Sequence, residues 1–152
     1  MGLNADGKAR IEKEHIALIE RYYKGCNERN IDLMMSTFAP DVTHYFYTPP
    51  SPTRGAENLA RLWAGFPKGC RWTVDHAIAS GDEAVIEFSY FYTRPGDTKE
   101  RVVRGAEWYV FREGRIAEIR AYYWQDQDKE YSLQGYPYAE RNYPQQNEVT
   151  GR

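Results

Sequence analysis

Cysteine and histidine are scarce in this chain. The two cysteines, Cys26 and Cys70, belong to no CxxC pair and have no histidine cluster beside them. A zinc site needs three or four convergent ligands, so no metal is expected and both cysteines read as ordinary reduced thiols. The three histidines, His15, His44 and His76, lie far apart in sequence. Long apolar runs are also missing. None approaches the roughly 20 residues that cross a bilayer, and the N-terminal MGLNADGKARIEKEH lacks the apolar centre of a signal peptide. A soluble, cytoplasmic protein with no membrane partner is therefore expected. No long basic run occurs and the formal net charge is -2. Phosphate affinity requires concentrated Lys and Arg, so nucleic acid is not an expected partner.

Aromatic residues, by contrast, are abundant: 15% of the 152 residues, including 13 Tyr and 4 Trp. They are enough to line a sizeable core or pocket in one domain, the count this length suits. Apolar positions at helical spacing (Ile11, Ile16, Ile19, Tyr22, Tyr23, Cys26) predict a helix over 8–29. Asp32 is the expected N-cap of a second helix, Leu33 to Phe38, stopped by Pro40-Asp41, with Asp41 capping or turning the chain. Val42 to Thr48 reads as a strand, the prolines at 49, 50 and 52 as a stiff loop, and Ala56 to Gly65 as a third helix. Strands then dominate: Arg71 to Ala79, Glu83 to Tyr92, and a hairpin from Arg101 to Trp124 turning at 112–115. Helices gathered in the first half beside a run of strands predict an α+β layer fold. The domain spans 1–124. A Tyr- and Pro-rich extension, 125–152, carries too many tyrosines for a disordered tail and is expected to pack on its own domain or on a partner subunit.

Four segments, IERYYKGCNERNIDLMMSTFAPDVTHYFY, RGAENLARLWAGF, GDEAVIEFSYFY and WYVFREGRIAEIRAYY, together resemble the nuclear transport factor 2-like superfamily. Its members include SnoaL-like polyketide cyclases, ketosteroid isomerases and scytalone dehydratase-like enzymes. The resemblance covers residues 10 to 124 and implies a cone-shaped α+β barrel, a curved, mostly antiparallel sheet wrapped around three helices and an apolar pocket. It also implies roles. In ketosteroid isomerase a helix-one Tyr and a protonated late-strand Asp form an oxyanion hole, and a first-strand Asp moves the proton. Set on that pattern, Tyr22 takes the tyrosine position and Glu107 the protonated carboxylate, while Phe46 stands where the proton-moving Asp would be. His44, two residues away and so on the same strand face, is the alternative base.

The residues themselves leave choices open. Glu107 shares a strand face with Gly105, Tyr109 and Phe111, and Trp108 and Val110 share the other; both faces are apolar. Facing inward, Glu107 would be costly to bury ionised, and as a neutral acid it could donate a hydrogen bond or act as general acid. Facing outward, it would pair with Arg104 or Arg120 at a rim or dimer interface. Of Tyr22 and Tyr23, only one is expected along the core stripe of helix one. Asp75 and His76 are expected on opposite faces, and His76 resembles the strand histidine of related dehydratases. The expected catalytic set is His44, Glu107 and Tyr22. Phe46, Trp63, Phe88, Tyr90, Tyr109 and His76 are the expected ligand contacts. These residues point to a cofactor-free enzyme working by proton transfer, of isomerase, cyclase or dehydratase (lyase) type, on a small apolar cyclic or polyketide-like substrate. The alternatives are a non-catalytic small-molecule binder or a dimeric partner-binding module of the same fold. A homodimer through the outer sheet face is expected in either case.

Overall fold

The computed structural model describes residues 5–46 and 52–123. The extension expected at 125–152 lies outside them. The first helix, α1 (Ala5–Glu28), buries His15, Ile19, Tyr22, Tyr23, Gly25 and Cys26, one broad stripe at three- and four-residue spacing. It ends at Arg29, which holds a positive φ of 56°. That conformation is uncommon for a side-chain-bearing residue. The Arg29 guanidinium offsets it by donating to the carbonyls of Phe66 and Cys70 at 3.2 and 2.9 Å, so the corner also ties α1 to the loop after α3.

The second helix, α2 (Ile31–Met35), starts earlier than the sequence suggested. Its N-cap is Asn30, whose side-chain oxygen accepts from the backbone N–H of Leu33 at 3.0 Å, and Asp32 falls inside the first turn. The chain is already extended at Phe38, and β1 (Phe38–Tyr45) includes Pro40 and Asp41. The proline fits because the ladder of β1 is interrupted between Phe38 and Thr43, where no N–H is demanded of it. Asp41 caps nothing: it is exposed and ion-paired with Arg112. A two-residue strand that the sequence did not announce, β2 (Thr53–Arg54), pairs with β1. After α3 (Ala56–Ala64) come β3 (Arg71–Ser80), β4 (Glu83–Thr93), β5 (Glu100–Arg112) and β6 (Arg115–Tyr123).

The six strands form one sheet in the order β2-β1-β6-β5-β4-β3. All neighbours are antiparallel except β1 and β6, which run parallel. The β5–β6 turn is a two-residue one, closed by the Arg112–Arg115 pair. Glu113 and Gly114 both take positive φ, 52° and 69°, the signature of the primed turn that matches strand twist. The fold is thus α+β, a curved mixed sheet against three helices. It remains open, with β2 and β3 as its edges, and does not close into a barrel. Its inner face and the helices share one core, which runs from Ile19 and Met34 through Leu59 and Ile86 to Ile116 and Ile119.

Candidate functional site

Register decides which side chains face inward. Phe88 pairs with Gly105, Tyr90 with Val103, Ile86 with Glu107 and Ala84 with Tyr109. Cross-strand partners share a face, so Glu107 lies on the inner one. Gly105 is required there. A Cβ would come within 2.6 Å of the Tyr122 carbonyl oxygen and 2.8 Å of the Phe88 ring, so glycine alone lets that ring cross β5. Arg104 and Arg120, the partners an outward-facing Glu107 would have met, lie instead on the outer face with Asp75 and Glu118.

Glu107 is buried and held by phenols. Tyr23 donates to its Oε2 at 2.8 Å, and the Tyr109 hydroxyl donates to the same oxygen. Burial pushes the phenols of Tyr22, Tyr23 and Tyr109 well above the usual tyrosine range, and the nearby Glu107 carboxyl adds to this. They therefore stay protonated and act as donors. With Oε2 occupied, Oε1 is left facing His44, whose Nε2 lies 3.6 Å away. That is too long for a hydrogen bond. Both His44 ring nitrogens are buried without a hydrogen-bond partner among the described residues. Phe46 stacks on the imidazole at 4.1 Å and Trp63 meets it edge-on at 5.5 Å.

The two groups come from strands that are not neighbours. β6 runs between β1 and β5, with Ile119 beside His44 and Ala121 beside Glu107. Ala121 has only a methyl group there, so the longer side chains can meet above it.

In front of this pair lies a cavity of about 380 Å³. Trp63, Phe66, Trp72, Phe88 and Tyr90 form its aromatic walls, with Val103 and Ala121 between them and Thr53, Leu62 and Tyr123 also lining it. Tyr90 stacks with both Trp72 and Tyr92, at 4.9 and 5.3 Å between ring centroids. No Lys or Arg among the described residues lines the cavity. Among the described residues, no group of three His, Cys, Asp or Glu converges as a metal ion would need, and no helix is long and apolar enough to cross a membrane.

Of the expected residues, His44, Glu107, Phe46, Trp63, Phe88 and Tyr90 meet in this cavity. Tyr22 does not. Both helix-one tyrosines are buried, so the expectation of a single core tyrosine fails, and the one bonded to Glu107 is Tyr23. Tyr22 packs edge-on against Phe38 and Tyr109, with its hydroxyl beside Cys26. Tyr109 is fully buried behind Glu107 rather than on the cavity wall. His76 is exposed and paired with Glu87 on the outer face. A bulge between Val74 and His76 breaks the alternation, so Asp75 and His76 both face outward. Trp72, Phe66 and Ala121 were not singled out in the sequence. Only Trp72 carried a signal, as an aromatic at the start of a strand.

Comparison with known proteins places this geometry. Residues 19–119 match the SnoaL-like domain. A protein of unknown function with a cystatin-like fold from Methylobium petroleophilum PM1 is 33% identical, with 88% of this chain and 92% of that one covered and a TM-score of 0.67. Two further structures share the fold at 16% identity. One is a candidate ketosteroid isomerase from Kribbella flavida DSM 17836, with 80% of this chain and 86% of that one covered and a TM-score of 0.65. The other is a candidate SnoaL-like polyketide cyclase from Jannaschia sp. CCS1, with 81% and 90% covered and a TM-score of 0.63. No curated protein matches the chain. An inward carboxylate in an aromatic pocket, one of the two orientations the sequence left open, thus accompanies a family match over most of the domain, and the chain belongs to the SnoaL-like domain family.

Proposed function

We propose that this protein is a cofactor-independent enzyme that moves a proton on a small, largely apolar cyclic or polyketide-like substrate, in an isomerisation, cyclisation or dehydration. The observation that carries the reading is the His44–Glu107 pair at the end of an aromatic cavity, 3.6 Å apart and shielded from water. A carboxyl and an imidazole at that distance differ by the place of one proton, which is what an acid–base catalyst must be able to change. The side chain of Glu107 keeps 7% accessibility and that of His44 none. Glu107 Oε1 is therefore the atom that meets the substrate, and His44 stands behind it to supply or hold the balancing proton. In the forward step a C–H bond next to a substrate carbonyl breaks. Its proton passes to Oε1, and the electron pair moves onto the carbonyl oxygen as an enolate. The proton then returns to another carbon, or to a departing oxygen. Tyr23 and Tyr109 fix the carboxyl throughout.

The test is solvent exchange. Cyclic ketones that bind would be followed by proton NMR in D2O for protein-dependent loss of the signal beside the carbonyl. The wild type should accelerate exchange, and Glu107→Gln and His44→Ala should each lower the rate by about 10²–10⁴-fold. Ketones that bind without any accelerated exchange would make the protein a binding module instead. The proposal includes a homodimer through the outer sheet face, where Ile78, Trp108 and Tyr122 are exposed. A monomer mass in sedimentation equilibrium at micromolar concentration would remove that part.

A further inference from the structure

The cavity lining includes a buried polar atom that the proton-transfer reading leaves unused, the Trp63 Nε1. Trp63 sits on the inner face of α3, 8% exposed, between His44, Phe46, Phe66 and Trp72. Its Nε1 is buried without a hydrogen-bond partner among the described residues. Buried indole N–H groups are normally satisfied, and leaving one bare costs more than the bond itself returns. The remaining lining is just as particular. Among the described residues the lining is aromatic or aliphatic apart from His44, Thr53 and Glu107, Glu107 is its one acid, and no Lys or Arg lines it. An anionic ligand would lose its hydration, meet a carboxyl group and find no Lys or Arg among the described lining residues.

We propose that the Trp63 indole N–H is the ligand-recognition donor of this cavity, and that it selects neutral, planar ring compounds carrying a carbonyl, enol or phenol oxygen over both hydrocarbons and carboxylates of the same shape. This rests on the reading of the cavity as a ligand site but not on catalysis. Three features converge on that class. The rings of Phe66, Trp72, Phe88 and Tyr90 give an apolar lining suited to a ring compound. Trp63 offers a single donor near His44, their ring centroids 5.5 Å apart, so an oxygen bound there lies beside the acid–base pair. The volume of about 380 Å³ is near the lower end of the roughly 300–1,000 Å³ usual for small-molecule sites, which suits a few fused rings. A donor left bare by the wrong ligand penalises that ligand, and this is how polar groups discriminate more strongly than apolar ones.

Naphthalene, 2-naphthol and 2-naphthoate share one ring system and differ only in the group at issue. Calorimetric titration of the full chain should show 2-naphthol binding about tenfold more tightly than naphthalene, the scale of one satisfied hydrogen bond, and 2-naphthoate binding weakest. Trp63→Phe should abolish the naphthol preference while retaining naphthalene binding. In the wild type, the indole N–H resonance missing from Trp63→Phe should move downfield with 2-naphthol and not with naphthalene. This second measurement stands even where the substitution disturbs packing. An unmoved resonance, meaning that bound water already satisfies the indole, would overturn the proposal. So would equal affinities for the three compounds, or no binding of 2-naphthol. Absence of solvent exchange with ketones would overturn the catalytic reading and leave this one standing.

Discussion

The sheet buries one carboxylate on each of its faces, and their surroundings differ in kind. On the outer face, Asp75 accepts from Ser89 Oγ at 2.6 Å and Thr73 Oγ1 at 2.8 Å, with the Arg104 guanidinium at 3.4 Å. On the inner face, Glu107 has two phenols and a histidine. The two are almost equally buried, 3% and 6% exposed. Asp75 meets a guanidinium, a cation that is always charged. Glu107 meets phenols that stay protonated and the His44 imidazole. Burial alone therefore does not set the two carboxylates apart. What distinguishes Glu107 is the cavity in front of it and the lack of a Lys or Arg partner among the described residues.

The contrast can be broken most strongly with alkali. The phenols of Tyr22, Tyr23 and Tyr109 are raised well above the usual range by burial. Above about pH 10 the unfolded chain releases these protons and the folded chain keeps them, so stability is intact below that pH and falls as pH rises. Each such phenol contributes a slope of about 1.4 kcal/mol per pH unit, about 4 kcal/mol per unit for three. Urea unfolding at several pH values should show this decline, steepened by the Cys26 thiol and the Tyr90 phenol, which burial also raises, and Tyr23→Phe should make it shallower. A flat profile from pH 9 to 11 would mean that the phenols titrate freely. Next in size is the outer carboxylate. Asp75→Asn should cost about 3 kcal/mol, since it leaves the Arg104 guanidinium buried against a neutral group, and solvent exchange should keep its wild-type rate. The same change at Asp41, whose pair with Arg112 is exposed at 69% and 54%, should cost less than about 1 kcal/mol. Equal losses at Asp75 and Asp41 in urea unfolding would show that the outer cluster is merely a surface pair.

Much of this arrangement was legible in the sequence. Alternation along β5 put Glu107 with Tyr109 and Phe111, and a two-residue step on β1 put His44 with Phe46. The Glu113-Gly114 turn fixed the hairpin between them. What could not be read has particular causes. A helix enclosed by a curved sheet buries more than one stripe, so Tyr22 and Tyr23 are both inside and spacing cannot say which hydroxyl reaches Glu107. The parallel β1–β6 pairing joins segments far apart in sequence, and no local pattern announces it. A bulge after Val74 cancels the alternation on which the placing of Asp75 and His76 depended. Phe38 and Pro40 read as the end of a helix because the break in the β1 ladder, which makes a proline acceptable there, is set by β6.

That parallel pairing has a consequence in time. His44 lies on β1 and Glu107 on β5, far apart in sequence, and β6 lies between these strands and joins them into one sheet. Closing so long a loop is the slow kind of contact. A chain ending at Arg112 already contains both members of the proposed acid–base pair but not the strand that lies between them. That strand contributes neither group of the pair, only Ile119 and Ala121 beside them. Maturation of the pocket and completion of folding are in this sense one event, and a ligand that requires both walls is also a probe of the finished fold.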